Sequence, residues 1–342
     1  MSGPKRETVA ITGASGFIGG ALIDHYRRSG VEVVGLDLRA SPERGIVAAD
    51  VSVRGSWERH LGGADCVIHT AAAVSNAVGD ERAWRINALG TRNLIGAPVS
   101  QGVRRLVHIS TCGVYGFHTP QAVSETYPVH CCGNVYRDTK IAAEHAVVAA
   151  GAQGELEIVV IRPADVYGPR CRVWITLPLQ YLEKGLFLLP GNGNNAFLPI
   201  YIDDLVDGIV LAAHHEDGAG QIFNLAPSHP ATTREFFSHH CRWLGKRGPI
   251  CVPTPLALFL ASVPYWVART ANRSTELGPA TVRMLDRRGW LSSDKARARL
   301  GWSENVSLAE GMRRTEDWLR ETGKLPSPAG RPRQRLRRRG AA

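Results

Sequence analysis

The fold of this chain is decided near its N-terminus, by the stretch Thr8-Val9-Ala10-Ile11-Thr12-Gly13-Ala14-Ser15-Gly16-Phe17-Ile18-Gly19. A short apolar, β-branched run ends in a glycine-rich turn, and a run with helical periodicity follows from Phe17. Glycines spaced Gly-x-x-Gly-x-x-Gly permit positive φ, close approach of a pyrophosphate and tight packing of a helix on a strand. Free N–H groups at the start of that helix attract phosphates. The stretch therefore predicts a strand–turn–helix unit that binds a dinucleotide.

The same region predicts which residues contact the cofactor. In the turn we expect contacts from Gly13, Ser15, Gly16, Phe17, Ile18 and Gly19. Asp37, at the end of the second predicted strand, would accept a hydrogen bond from a ribose hydroxyl and repel a 2′-phosphate, which favours NAD. Arg39, two residues later, would hold that phosphate, so NADP stays open as the alternative. Asp50 and Val51 follow a short apolar segment and are predicted to border the adenine.

Outward from this unit, β-branched runs alternate with helical stretches through the first half of the chain. The predicted strands are Thr8–Thr12, Val31–Asp37, Cys66–Thr70, Val103–Ser110 and Ile158–Arg162. The predicted helices are Phe17–Ser29, Arg82–Ala97, Val135–Ala150 and Tyr201–His214. Strands that alternate with crossover helices form right-handed units. The sequence therefore predicts an α/β protein with a doubly wound parallel sheet, the Rossmann architecture.

After Tyr167 proline and glycine become frequent, and the alternation of strands and helices stops. We expect a nucleotide-binding domain from residues 1–172 and 200–226. A smaller, mostly helical substrate lobe would comprise residues 173–199 and 227–325. Strands with helices on both faces build the first unit, whereas the second has no regular period.

The charge of the chain is concentrated at its C-terminal end. Of a formal net charge of +10, six charges come from the arginines Arg331, Arg333, Arg335, Arg337, Arg338 and Arg339, which leaves +4 for the rest. Residues 326–342 have no apolar face, so we predict a disordered basic tail. Such a tail could touch anionic lipid at a membrane surface. We expect no specific binding of nucleic acid by the folded part.

The 342 residues are 44% hydrophobic and 21% charged, as in ordinary globular proteins. The seven cysteines are an odd set without metal-ligand spacing, so we expect reduced thiols, no metal site and a cytoplasmic location. The apolar stretch Pro255–Ala268 is broken by Pro264 and is too short to cross a bilayer, so no transmembrane segment is expected.

Six motifs in order make the chain resemble the extended short-chain dehydrogenases/reductases, which form the NAD-dependent epimerase/dehydratase superfamily. They are Thr12–Gly19, His69–Ala72, Asn87–Thr91, Ile109–Gly116, Tyr136-x-x-x-Lys140 and Arg162–Gly168. The resemblance covers the chain from about residue 8 to 226 and implies a Rossmann fold, an NAD(P)-dependent enzyme and a homodimer. It also implies cofactor contacts by Ala71, Ala72, Tyr136, Lys140, Pro163 and Val166.

The chemistry explains why these residue types occur together. Hydride transfer between nicotinamide and a carbonyl carbon requires a proton to be gained or lost at the oxygen. Tyr136 suits that role if a cation lowers the pKa of its phenol, and Lys140 lies one helical turn away on the same face. The resemblance assigns Thr111 as the hydroxyl that orients the substrate oxygen, where the family usually has serine. It also assigns Asn87 to the proton path. An asparagine whose amide only packs a helix would give the same motif, so both roles stay open.

The substrate is predicted from what one segment lacks. Nucleotide-sugar enzymes of this family usually place an arginine shortly before the Asp203-Asp204 helix, and the stretch Asn194–Tyr201 has no basic residue. The apolar Pro255–Ala268 segment and Leu291–Trp302 resemble the 3β-hydroxysteroid and sterol dehydrogenase branch instead. We also expect four aromatic residues to suit an apolar ligand: Trp174, Phe187, Phe197 and Trp266.

The resulting prediction is an oxidoreductase that interconverts a secondary alcohol and a ketone on an apolar, steroid-like or polycyclic small molecule. The first alternative is a nucleotide-sugar 4-epimerase or 4,6-dehydratase, for which Arg172 or Arg283 would have to supply the missing charge. The second is a cofactor-binding regulator without turnover. The intact set of Thr111, Tyr136 and Lys140 argues against the second alternative.

Overall fold

The computed structural model describes residues 7–75, 78–154, 156–270, 275–276 and 278–325. The tail that we predicted to be disordered, residues 326–342, lies outside the described residues. None of the helices within these ranges combines the length and the apolar character needed to span a membrane.

Within these ranges the chain forms thirteen β-strands. They are β1 (Thr8–Thr12), β2 (Glu32–Asp37), β3 (Ile46–Ala48), β4 (Cys66–His69), β5 (Arg105–Ile109), β6 (Glu157–Pro163), β7 (Asp165–Tyr167), β8 (Leu188–Pro190), β9 (Ala196–Phe197), β10 (Pro199–Tyr201), β11 (Gln221–Leu225), β12 (Ala231–Thr232) and β13 (Ile250–Val252).

The same ranges contain eleven α-helices. They are α1 (Phe17–Arg28), α2 (Asp80–Ala83), α3 (Gly90–Ser100), α4 (Val135–Ala152), α5 (Leu177–Glu183), α6 (Ile202–His214), α7 (Thr233–Trp243), α8 (Thr254–Thr270), α9 (Pro279–Leu285), α10 (Asp294–Leu300) and α11 (Leu308–Glu321). A wider π-helical turn, Trp84–Leu89, joins α2 to α3, so the helix predicted at Arg82–Ala97 is continuous from Asp80 to Ser100.

Seven strands form one parallel sheet in the order β11-β6-β5-β4-β1-β2-β3. Val9 of β1 pairs with Val33 of β2 on one side and with Cys66 of β4 on the other. The strand order therefore reverses between β1 and β4, and the crevice at their carboxyl ends is where doubly wound sheets bind ligands. The predicted α/β, doubly wound parallel sheet is confirmed.

The central strands are buried on both faces because helices cover both faces of the sheet. All five residues of β5 and all four of β4 are buried, including the polar Arg105, His108 and His69. Burial on both faces is typical of parallel sheets between helix layers, so no alternation of buried and exposed residues is seen. The sheet is therefore a rigid base for the turns that follow β1, β4 and β5.

The C-terminal region is mostly helical, with three small strand pairs: β10 with β7, β12 with β9 and β13 with β8. Of the four aromatic residues expected to suit a ligand, three pack in the core. Trp174 meets Phe197 edge to face with ring centroids 4.8 Å apart, and Phe187 contacts Phe237 at the same separation. Trp266 is the one member of the four that lines the cavity described below, and its contact with a ligand stays a prediction.

Candidate active site

The turn after β1 has the shape that a pyrophosphate needs. Gly13 has φ +70°, and a Cβ added there would lie 2.7 Å from the backbone nitrogen of Ala71. A Cβ at Gly19 would lie 2.2 Å from the carbonyl oxygen of Gly13, so only glycine fits at that position. Gly16 caps α1 without a side chain, and the first turn of α1 has no acidic residue. No cap side chain and no acidic residue of the first turn competes for the N–H groups at the start of α1, so the residues present fit a dinucleotide.

Asp37 lies at the end of β2 and braces this turn. Its Oδ2 accepts a hydrogen bond from the Ser15 N–H at 2.9 Å, and its Oδ1 accepts one from the Leu38 N–H at 2.7 Å. The carboxylate is therefore fixed beside the turn, with lone pairs left for a ribose hydroxyl. Arg39 is exposed and lies beyond the same strand end.

The turns after β3 and β4 border the same crevice. Asp50 Oδ1 accepts from both the N–H and the hydroxyl of Ser52, at 2.9 and 2.6 Å, while Val51 is buried beside α3. Ala71 and Ala72 follow β4, and the backbone of Ala71 lies directly against Gly13. The structure thus brings both predicted pairs to the carboxyl edge of the sheet.

Asn87 holds the chain after β4 in place. Its Oδ1 accepts from the Ala73 N–H at 2.7 Å, and its Nδ2 donates to the Ala73 carbonyl at 3.2 Å and to the Thr139 hydroxyl at 3.0 Å. Asn87 lies in the π-helical turn, whose widened backbone turns the amide toward Ala73. These contacts match the packing role that the sequence left open beside the proton-path role.

Tyr136 and Thr111 lie close together, and Tyr136 lines the cavity described below. Tyr136 lies in the first turn of α4, and Thr111 follows β5 by two residues. The Thr111 hydroxyl oxygen accepts from the Gly113 N–H at 3.1 Å, which leaves its own hydrogen for another acceptor. Burial raises the pKa of the Tyr136 phenol to about 12, Cys112 adds to the rise, and the Thr111 side chain offsets part of it.

Lys140 lies deeper than the sequence suggested. Its Nζ donates to the Ile109 carbonyl at 2.6 Å and lies 3.4 Å from His108 Nε2. Burial lowers the pKa of Lys140 to about 8, and Glu144 offsets part of that shift. Burial and Cys112 raise the pKa of the Tyr136 phenol in this structure, and the lowering of that pKa by Lys140 stays a prediction.

Buried polar side chains surround Lys140. Glu144 accepts from the Ser110 hydroxyl at 2.7 Å and forms an ion pair with Arg162. His108 stacks on His69 with ring centroids 5.4 Å apart, and the pKa of His108 lies well below its usual value because of burial and the Lys140 charge. These histidines are neutral at physiological pH, so Lys140 and Arg162 provide the positive charge beneath the site.

The last two predicted cofactor residues lie on the adjoining strands. Pro163 ends β6 and pairs with Leu225 of β11. Val166 lies on β7, half-buried, and pairs with Ile200 of β10. Pro163 thus lies at the carboxyl end of a strand of the main sheet, and Val166 follows three residues later in a separate strand pair.

Tyr136 opens onto a cavity of about 610 Å³ between the sheet domain and the helices α8 and α9. Apolar side chains line much of it: Val78, Ala83, Phe117, Leu258, Tyr265 and Trp266. Asp80, Glu276, Arg137 and Arg283 add charge to the wall. Glu276 pairs with Arg172 at 2.8 Å, so both arginines that the alternative reading required lie at or beside the cavity.

Sequence reasoning missed two buried arginines near this cavity. Arg287 forms a two-bond ion pair with Asp165, at 2.6 and 3.1 Å, and lies over the ring of Phe117. Arg137, the residue after Tyr136, lies over the same ring at 4.8 Å. For Arg137 the sequence offered one signal, its position directly after Tyr136. Helical spacing alone does not predict that this position faces the interior of the protein.

The fold and the site together define a dinucleotide-binding enzyme with a tyrosine and a lysine beside a substrate-sized cavity. The chain belongs to the NAD dependent epimerase/dehydratase family, which matches residues 9–226. The resemblance to the extended short-chain dehydrogenases/reductases is therefore confirmed, and the protein is an NAD-dependent oxidoreductase or epimerase of that type.

Individual relatives span nearly the whole chain. It is 28% identical to the decarboxylating sterol-4-alpha-carboxylate 3-dehydrogenase of Candida albicans, over 92% of this chain and 98% of that protein. It is 29% identical to the UDP-glucose 4-epimerase of Mycolicibacterium smegmatis, over 91% and 97% of the two chains. Among solved structures, MoeE5 in complex with UDP-glucuronic acid and NAD is 26% identical, with a TM-score of 0.74 over 92% of this chain and 99% of that one. The sterol dehydrogenase-like branch is thus supported beside the sugar-nucleotide enzymes.

Proposed function

We propose that the protein interconverts a secondary alcohol and a ketone on an apolar, polycyclic small molecule, with NAD as cofactor. The observation that supports this most is the cavity of about 610 Å³, which has Tyr136 in one wall and the apolar side chains of α8 in the opposite one. Its volume lies within the range of small-molecule sites, and its lining combines the apolar side chains of α8 with polar and charged groups that could orient a ligand.

Tyr136 would hold or release the proton at the substrate oxygen, and Thr111 would orient that oxygen. Because the Thr111 oxygen already accepts from Gly113, its own hydrogen would be donated to the substrate oxygen, a carbonyl or an alkoxide. Lys140, buried beneath Tyr136, supplies positive charge that favours the phenolate once a proton has left. NAD, when bound, accepts or supplies the hydride.

The cofactor choice rests on Asp37. Its carboxylate is held beside the turn by two backbone N–H groups, where it would accept from a ribose hydroxyl and repel a 2′-phosphate. We therefore propose NAD, held by the residues from Gly13 to Gly19 together with Asp50, Val51, Ala71, Ala72, Pro163 and Val166. NADP remains the alternative through Arg39. Residues 173–199 and 227–325 would form the substrate lobe, while the homodimer and the cytoplasmic location stay predictions from the sequence.

The second candidate is a nucleotide-sugar 4-epimerase, which the M. smegmatis relative favours. Calorimetry on the NAD-bound protein separates the two candidates, with UDP-, GDP- and dTDP-sugars titrated beside a soluble hydroxysteroid. We expect heat only from the steroid, because Asn194–Tyr201 offers no cation for a diphosphate. Micromolar binding of a nucleotide sugar without a response to the steroid would reject the proposal in favour of the epimerase.

A further inference from the structure

Helix α8 presents an apolar face to solvent. Six of its large apolar side chains are between 44% and 64% exposed: Leu256, Phe259, Leu260, Val263, Trp266 and Val267. They recur every three to four residues, so they form one stripe along the helix, the α8 stripe. No other described α-helix exposes more than one large apolar side chain. Single exposed apolar residues are ordinary, whereas a contiguous patch marks an interaction surface.

The opposite side of α8 is already in use. It packs on α9 and β8, and Leu258, Ser262 and Tyr265 line the cavity that contains Tyr136. Of the α8 stripe, Trp266 alone also lines that cavity. The other five side chains of the stripe therefore have no role in the cavity, and a partner that covered them would lie on the outer side of the cavity wall.

The chain around α8 is basic. Residues 236–275 contain no aspartate and no glutamate, and their five basic residues are Arg242, Lys246, Arg247, Arg269 and Arg273. Lys246 and Arg247 are exposed in the loop that leads through β13 into α8. Between Thr254 and Ala268 no residue is charged. An apolar stripe within a segment that has cations only is complementary to a surface that is apolar inside and anionic outside.

Two other occupants fit the α8 stripe less well. Residues 326–342 contain one large apolar side chain, Leu336, among six arginines, so this segment has too little apolar surface to cover the stripe. A second copy of the chain would bring two basic segments together, and like charges that meet at an interface oppose binding. Anionic phospholipids meet both requirements, because acyl chains accept apolar side chains and headgroups neutralise cations.

We propose that the α8 stripe docks the protein on a bilayer that contains anionic phospholipid. Only one side of α8 is free, so the helix lies flat in the interface and does not cross the membrane. Tyr265 and Trp266 lie near its C-terminal end, and such side chains favour the level of the headgroups. This inference goes beyond the proposed function and holds for any substrate of the cavity.

Flotation of the full-length protein with liposomes tests the docking without any substrate. Wild-type protein should bind vesicles of phosphatidylcholine and phosphatidylserine roughly tenfold or more tightly than vesicles of phosphatidylcholine alone, because each basic residue near an anionic surface contributes. Phe259→Gln should weaken binding to the mixed vesicles roughly tenfold, because a buried phenyl ring is lost from the acyl region. Phe259 does not line the cavity, so NAD affinity should be unchanged.

Val53→Gln is the matched control, because Val53 is 59% exposed and Phe259 is 64% exposed. Val53 lies in the turn after β3, so its replacement should leave vesicle binding at the wild-type level. Both side chains are largely exposed, so both variants should keep the melting temperature of the wild type. Any loss of binding in Phe259→Gln then belongs to the α8 stripe and not to unfolding.

Three results would overturn the docking. Equal binding of wild type and Phe259→Gln to the mixed vesicles would mean that α8 does not enter the bilayer and that the arginines of residues 326–342 make the contact. Failure of the wild-type protein to bind these vesicles at low ionic strength would reject the surface altogether. Self-association that Phe259→Gln abolishes in sedimentation, without vesicle binding, would assign the stripe to a second copy of the chain.

Discussion

Tyr136 and Thr111 come together from different parts of the chain, one from α4 and the other from the turn after β5. Both are placed by backbone that has little freedom, because Lys140 ties α4 to the end of β5 through the Ile109 carbonyl. A proton-transfer group must stay within hydrogen-bond reach of its target, so this tie matters as much as the chemistry of the phenol.

Removing the phenol hydroxyl tests its role directly. Tyr136→Phe keeps the ring in the cavity wall, so NAD affinity should be unchanged while kcat falls by roughly 10²–10⁴-fold. Tyr181→Phe, on α5 and outside the cavity lining, is the matched control and should keep full activity. Near-normal turnover in Tyr136→Phe would show that another group moves the proton.

The pH dependence should differ between the two directions. With the pKa of Tyr136 raised to about 12, the phenol is protonated at neutral pH. Oxidation needs the phenolate, whose fraction grows as pH rises, so kcat/KM for alcohol oxidation should climb between roughly pH 6 and 9. Reduction uses the protonated phenol and should stay flat over that interval. Initial rates in both directions give the profiles, and a flat profile for oxidation contradicts the assignment.

At the scale of elements, the β1–α1 turn shows how two adjacent glycines differ. A Cβ at Gly19 would meet the Gly13 carbonyl oxygen at 2.2 Å, whereas the nearest atom to a Cβ at Gly20 lies at 3.6 Å. Gly19→Ala should therefore distort the turn and weaken NAD binding, on the order of tenfold or more. Gly20→Ala should leave NAD binding intact and stabilise α1 by roughly 0.5–1 kcal/mol. Fluorescence titration measures NAD affinity, and thermal melts measure the stability of the two variants. Equal NAD affinity in both variants would show that the close approach of Gly19 to Gly13 is not needed to bind the pyrophosphate.

The elements that the sequence predicted well are those with a strong local signal. Strand β1 was predicted at its observed bounds, and α1 and β2 within one residue at one end, because apolar period and turn glycines are local. Strands β3 and β11 were not predicted. β3 has three residues and β11 begins with a polar glutamine, and both are fixed by pairing with β2 and β6 rather than by composition.

The site divides in the same way. The positions of Asp37, Thr111 and Tyr136 follow from motifs at fixed offsets from strand ends, so their grouping at one sheet edge was foreseeable. The pairing of Arg287 with Asp165 was not, because it depends on segments 122 residues apart packing together. The inward turn of Arg137 was not either, because it depends on the position of the Phe117 ring. The depth of Lys140 likewise depends on where the Ile109 carbonyl lies.

At the scale of the whole molecule, the Asp165–Arg287 pair joins the sheet domain to the C-terminal helices. Arg287 follows α9, and Asp165 begins β7 and also accepts from the Leu198 N–H at 3.0 Å. Two isolated β-bridges reinforce the junction, His118 with Arg288 and Val123 with Leu291. The cavity is also lined by residues of both the sheet domain and the C-terminal helices, although neither member of the ion pair lines it.

Breaking this pair should be expensive. Arg287→Met leaves the Asp165 carboxylate buried without its partner and should lower the free energy of unfolding by about 3–5 kcal/mol. The double variant with Asp165→Asn removes both charges, keeps an acceptor for Leu198 and should recover much of that loss. Arg314→Met, which breaks two exposed pairs with Asp203 and Glu310, should cost only about 1 kcal/mol. Urea denaturation measures all three, and a double variant that is less stable than Arg287→Met alone would mean that the pair is not the source.

Hydride exchange between NAD and an apolar alcohol forms NADH, whose absorbance at about 340 nm can be followed directly. Purified protein and NAD are mixed with each member of a panel of hydroxysteroids, flavanonols and UDP-, GDP- and dTDP-sugars. We expect NADH to form with a hydroxysteroid. We expect no NADH when Tyr136→Phe replaces the wild-type protein, and no change in absorbance with any nucleotide sugar. No absorbance change with the apolar alcohols, together with conversion of a nucleotide sugar to its epimer, would contradict it.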